Sequence, residues 1–146
     1  MDNKNSDKIT EAAPSLFSNG YGVFGEITKD SEEKYPFYFE CGDGWVDIIY
    51  DAAVKLEAYI QTLPEDVRSD VVALQVKEKF GTLRFYVSYY TEDIEAIIKE
   101  AEQKSATTCE TCGNPGKLRG RMWRYTACDE HTRQEDLQEV SQEDLP

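Results

Sequence analysis

Four residues near the C-terminal end constrain this chain more than any other feature. Cys109-Glu110-Thr111-Cys112 is a CxxC pair, and after fifteen intervening residues comes Cys128-Asp129-Glu130-His131, a CxxH pair. Zinc takes four soft or borderline donors at tetrahedral corners, and two close ligand pairs from separate turns meet that demand. Gly113 gives the chain freedom to turn just after the second sulfur, and Asn114-Pro115-Gly116 reverses it. Three of the four cysteines and the only histidine fall in this spacing, so His131 reads as a ligand rather than as an ordinary surface or core residue. Four protein ligands, Cys109, Cys112, Cys128 and His131, describe a closed structural Zn2+ site, because a catalytic zinc keeps one position open. A redox reading of Cys109 and Cys112 wants a CxxC beside a βαβ pattern, and none is visible.

At 146 residues the chain is sized for one domain with a small appendage and has room for a sizeable core. No apolar run approaches the roughly 18 residues needed to span a bilayer. The polar, charged stretch Met1 to Thr10 lacks a secretory pattern, and thiols arranged for metal, with Cys41 left over, suit a reducing cytoplasm. The net charge of −13 disfavours nonspecific binding to nucleic acid or anionic membrane and points to a partner with a basic surface. It is unevenly spread. Between Ser105 and Arg133 five basic residues meet three acidic ones, a net +2 that leaves −15 on the remainder.

Residues 1–13 show no periodic pattern and read as a flexible leader. Residues 14–104 read as an α+β core. The Gly- and aromatic-rich stretch from Pro14 to Gly25 suggests an ordered loop, and Tyr35 to Glu40 a short extended segment that Pro36 confines to an edge. Cys41-Gly42-Asp43-Gly44-Trp45 turns the chain into a long amphipathic helix, with Asp43 as its cap. Trp45, Ile48, Ile49, Ala52, Leu56, Tyr59, Ile60 and Leu63 form its apolar face, and Pro64 ends it. Val71 to Tyr90 alternates as a β-hairpin around Phe80-Gly81-Thr82. Val72, Leu74 and Val76 face one side with Leu83, Phe85 and Val87; Lys77, Arg84, Tyr86 and Tyr90 face the other. Thr91 caps a second helix whose stripe is Ile94, Ile97, Ile98 and Ala101. Residues 105–135 form the zinc module. Lys117-Leu118-Arg119 and Met122-Trp123-Arg124-Tyr125 read as a β-ribbon, and Asp129 to Glu139 as a closing helix. Knuckle, ribbon and helix in that order predict a treble-clef-like topology. Residues 136–146 are an acidic tail. The expected architecture is a long helix packed on a hairpin or small antiparallel sheet, with this module appended.

Catalysis finds little support. A nucleophile–histidine pair needs a free base, and the single histidine is assigned to metal. The zinc knuckle resembles that of ββα-metal nucleases, but the extra histidines such enzymes need are missing. No phosphate-cradling glycine loop is present. Two kinds of binding surface remain. Lys117, Arg119, Arg121 and Arg124, interleaved with Met122, Trp123 and Tyr125, make a basic-aromatic ribbon over residues 117–125 able to touch phosphates and stack a base. Against it stands the acidic remainder, which suits occupation of a basic groove on another protein.

Four pieces resemble a group of small proteins encoded by bacteriophages and prophages. They are Cys41-Gly42-Asp43-Gly44-Trp45, the run from Val76 through Tyr86 (Val-Lys-Glu-Lys-Phe-Gly-Thr-Leu-Arg-Phe-Tyr), Cys109 through Gly116, and Trp123 through His131. The resemblance implies a phage accessory product acting in the cytoplasm of the bacterial host, and by analogy an inhibitor of a host defence or nucleic-acid-handling protein. It carries no catalytic residues. The acidic tail after Arg133 departs from the pattern. If the run around Phe80 is a functional surface, Lys77, Lys79, Arg84 and Tyr86 would lie near Asp43 and Trp45, and a small nucleotide would be the alternative ligand.

Overall fold

The computed structural model describes residues 1–18 and 37–137. Helix α1 spans Asn3–Ala12, and its first turn is capped by Asp2, whose side chain accepts from the Asn5 amide. Strand β1 is only Phe39–Glu40. A 3-10 turn at Asp43–Trp45 leads into α2, Val46–Ile60, and a single turn α3 follows at Glu65–Arg68. Strands β2 (Ala73–Lys79) and β3 (Thr82–Val87) form the hairpin, and α4 spans Glu92–Ser105. A second, two-stranded sheet pairs β4 (Lys117–Arg119) with β5 (Tyr125–Ala127), and a 3-10 turn at Asp129–His131 follows. The architecture is mixed α+β. No helix among the described residues is long and apolar enough to cross a membrane.

The apolar periodicities account for most of the body. From α2, Ile49, Ala52, Leu56 and Ile60 enter one continuous core with Trp45; from α4, Ile94, Ile98 and Ala101 do the same. Thr91 caps α4 as expected, accepting from the Ile94 amide at 3.2 Å. Helix α2 ends at Ile60 rather than running to Leu63, because the amides of Thr62 and Leu63 turn back to Tyr59 and Ile60 instead of continuing the ladder.

Four expectations are corrected. First, residues 1–13 are not a loose leader. Ile9 and Ala13, one helical turn apart, are both 0% exposed and dock α1 on α2. Two residues are too short a stripe to register as periodicity, yet they suffice once a partner face exists. Second, the hairpin is part of a three-stranded sheet of order β1-β2-β3, with β1 parallel to β2. A register irregularity between Ala73 and Gln75 interrupts strict alternation. Ala73 and Val76 therefore point inward while Leu74 is 44% exposed. Third, Met122, Trp123 and Arg124 lie in the loop between β4 and β5, and Tyr125 begins the strand. Fourth, the closing helix is not continuous. The 3-10 turn at Asp129–His131 is followed by a separate helical turn at 134–137; the rest of that expected helix lies outside the described residues.

Of the Pro14–Gly25 stretch, Leu16 and Phe17 are buried, with the Ser15 and Leu16 amides held by the Glu57 carboxylate at 2.9 and 3.0 Å. Its remainder from residue 19 lies outside the described residues.

Candidate metal centre and its seat

The antiparallel pairing of β4 with β5 brings the end of the ribbon back to its start, and so brings the CxxH pair to the CxxC pair. Cys109 Sγ, Cys112 Sγ, Cys128 Sγ and a His131 ring nitrogen all lie within 4.8 Å of one another. Metal–sulfur bonds of about 2.3 Å in a tetrahedron set sulfur–sulfur edges of about 3.8 Å and sulfur–nitrogen edges of about 3.6 Å. Cys112 Sγ and Cys128 Sγ are 3.7 Å apart, and Cys109 Sγ and His131 Nδ1 are 3.6 Å apart. The remaining short edge, Cys128 Sγ to His131 Nδ1, is 3.1 Å, tighter than an ion at the centre would leave it. The donor set, three thiols and one imidazole, fits a metal ion, and the set comprises the four ligands read from the spacing.

Local backbone prepares the sulfurs for charge. Burial pushes the Cys109 thiol up, but amide N–H groups of Cys128, Cys112 and Thr111 aimed at its sulfur outweigh this and hold its pKa at about 6. The Asn114 amide also favours a thiolate on Cys112; burial and the neighbouring Cys109 and Cys128 sulfurs raise it more. Crowded thiols thus resist losing a second proton, and a bound dication removes that resistance. Cys41 is unsuited to the same role: burial, then the nearby Glu110 carboxylate, push it up to about 12.

The metal cluster rests in a seat built from the two sequence runs that precede it. Trp45 is 0% exposed, and its Nε1–H donates to Thr108 O at 2.9 Å. The Gly44 amide donates to Glu110 O at 2.7 Å, and the Gly42 amide to Glu110 Oε2 at 2.8 Å. At the hairpin tip, Phe80 and Gly81 both have positive φ, 54° and 88°, and Thr126 Oγ1 donates to Gly81 O at 2.6 Å. A side chain on Gly81 would also meet Leu118 Cδ1 at 2.4 Å. Both runs therefore act where the body touches the metal module. The sequence marked the runs but not this role, and Glu110 and Thr126 carried no signal of their own.

Gly44 gives the sharpest test of the seat. A Cβ there would lie 2.1 Å from Cys109 O and 2.6 Å from Glu110 O, both backbone atoms that have no rotamer to escape into. Gly44→Ala is expected to cost about 3 kcal/mol, at the upper end for overpacking, and to lower the melting temperature while leaving metal stoichiometry intact. Calorimetry with metal analysis on the same sample checks it. An unchanged melting temperature would refute the close contact.

The other candidate residues do not converge on one site: Lys77, Lys79, Arg84 and Tyr86 share a face of the β2–β3 hairpin, and the rest lie elsewhere. Asp43 does not cap α2; its Oδ1 accepts from the Asp2 amide at 2.8 Å and from Asn5 Nδ2 at 3.1 Å, and these bonds hold its carboxyl below the usual range. Lys77 stands opposite Arg84 on β3 and Glu40 on β1. Arg84 Nη1 is engaged by Thr82 Oγ1 at 2.6 Å and Leu83 O at 3.0 Å, and Lys79 lies over the Phe80 ring. Tyr86 is 36% exposed on the same sheet face. Trp45, in the core, presents nothing to a ligand beside them. Arg119 is 4% exposed, donating to Ala127 O and to Asp129 Oδ1 at 2.7 Å, so it braces the ribbon. Arg121, Trp123 and Arg124 are on the surface of the β4–β5 loop.

Comparisons with protein-family models, with curated proteins and with solved structures return no match to this chain.

Proposed function

We propose that this chain is a non-enzymatic interaction protein whose C-terminal module is treble-clef-like and stapled by a structural Zn2+. In this reading it is a phage accessory product that acts in the bacterial cytoplasm and blocks a host defence or nucleic-acid-handling protein by occupying its basic surface. The observation that carries it is the separation of roles within the chain. Four protein donors cluster closely enough to hold a metal ion and would leave a tetrahedral one no position for substrate, while the charge surplus lies elsewhere, −15 outside residues 105–133. The first turn of α4 concentrates part of that surplus. Glu92, Asp93 and Glu95 are exposed there, favoured by the helix dipole. Long-range attraction then selects a positively charged partner, and salt screens it.

The test is retention of one host protein from bacterial lysate on the immobilised full chain, weakened by added salt and lost in the Glu92→Lys, Glu95→Lys double variant. Metal content of the variant is expected to match the parent. Retention undiminished by both charge reversal and salt would overturn the acidic-surface reading.

A further inference from the structure

The tip of the β4–β5 ribbon exposes apolar surface that folding does not need. Met122 and Trp123 are 89% and 80% exposed, more than any other large hydrophobic side chain among the described residues. The turn that projects them is tight, since a Cβ on Gly120 would sit 2.4 Å from Trp123 O. Beside them runs an open groove of about 290 Å3 lined by Arg121, Met122, Trp123, Arg133, Glu135 and Asp136.

Its floor is fixed by bonds rather than by loose side chains. The Tyr125 hydroxyl donates to Asp136 Oδ2 and accepts from the Arg133 amide at 3.0 Å. The Arg133 guanidinium lies 4.4 Å from the centre of the Tyr125 ring; its Nε is 3.6 Å from Asp136 Oδ2 and its Nη1 3.9 Å from Glu135 Oε1. Asp136 is only 7% exposed, so its charge is matched inside the floor. Along the groove a ligand would meet the exposed Trp123 indole, the Arg121 and Arg133 side chains and the Glu135 carboxylate.

We propose that this groove is a nucleotide site. The Trp123 indole stacks the base, a contact any base can make through its π-face. The Arg121 and Arg133 guanidiniums take the phosphate, because each planar fork presents paired N–H groups to two of its oxygens. Glu135 accepts from an exocyclic amino group of the base. A base carrying a single phosphate suffers least from the −13 charge of the whole chain, whereas a duplex would be repelled along its length. The same base–phosphate unit occurs in a free mononucleotide and at the end of a single strand. The site does not depend on the acidic-surface reading: loss of the lysate partner leaves it untouched, and loss of nucleotide binding leaves that partner in place.

The experiment uses the full metal-loaded chain with GMP, AMP, guanosine and a short 5′-phosphorylated oligodeoxyadenylate as probes. Trp45 is buried, so saturable fluorescence quenching of the parent reports on Trp123, and titration calorimetry measures binding by the parent and the Trp123 variants alike. Trp123→Ala is expected to weaken binding about tenfold or more with an unchanged melting temperature, and Trp123→Phe to restore most of it. Arg121→Glu should weaken the phosphorylated probes and spare guanosine. Mononucleotide binding that the oligonucleotide does not exceed identifies a free nucleotide as the source; tighter oligonucleotide binding identifies a strand end. No saturable binding of any phosphorylated probe, or equal binding by Trp123→Ala, overturns the site.

Discussion

Replacing Cys109 with serine, or stripping the ion with a chelator, is expected to destabilise the whole fold rather than its last quarter. Coordination in a four-ligand thiolate–imidazole site is worth about 10 kcal/mol in small modules, comparable with the total stability of a domain. Here the module is tied to the body through Trp45 Nε1 on Thr108 O, the Gly42 and Gly44 amides on Glu110, and Thr126 Oγ1 on Gly81 O. Without the ion, crowded sulfurs and an exposed imidazole have little to hold that geometry. Cys109→Ser is expected to bind no metal and to lower the melting temperature by more than about 10 °C, in one cooperative transition. The parent is expected to carry one equivalent of zinc by elemental analysis. Protons compete with the metal for thiolate and imidazole, so stability should also fall as pH is lowered. A Cys109→Ser protein without metal that melts where the parent melts would show that the cluster holds nothing together.

Trp45→Ala should be nearly as damaging. The indole is wholly buried in the apolar core and is also the donor to Thr108 O. Truncation leaves a cavity and strands a carbonyl at the seat of the metal module, for a cost of about 3–5 kcal/mol. Trp45→Phe keeps most of the bulk and loses the hydrogen bond, for about 1–2 kcal/mol. Urea denaturation separates the two, with the midpoint moving and the slope constant. Equal costs for the two variants would mean that the indole's volume contributes little and that its place in the core is misassigned.

The cluster of Cys109, Cys112, Cys128 and His131 was legible because coordination chemistry restricts both residue type and spacing, and the ribbon between the pairs only has to return. The long helices were legible for a similar reason: α2 and α4 repeat their apolar positions often enough to define a face. Where a decision rested on one or two residues, sequence was insufficient. Ile9 and Ala13 commit α1 to the body, yet two residues do not make a visible period. The irregularity at Ala73–Gln75 shifts the facing of one strand and leaves Leu74 outside, which alternation alone cannot announce. Arg119 looked like part of a basic ribbon because charge is additive along a chain. Only the position of Asp129 across the ribbon showed that this arginine is buried and matched.

By itself, then, the sequence determined which atoms can hold an ion and which helix faces must turn away from water, since both follow from residue chemistry at fixed short spacings. The tertiary structure decided what those pieces rest on. The glycine-rich run from Cys41 to Trp45 and the hairpin tip at Phe80 and Gly81 touch the metal module only because chain segments far apart in sequence come within hydrogen-bonding distance. A close approach between two backbones is a property of the packed molecule, and no local pattern encodes it.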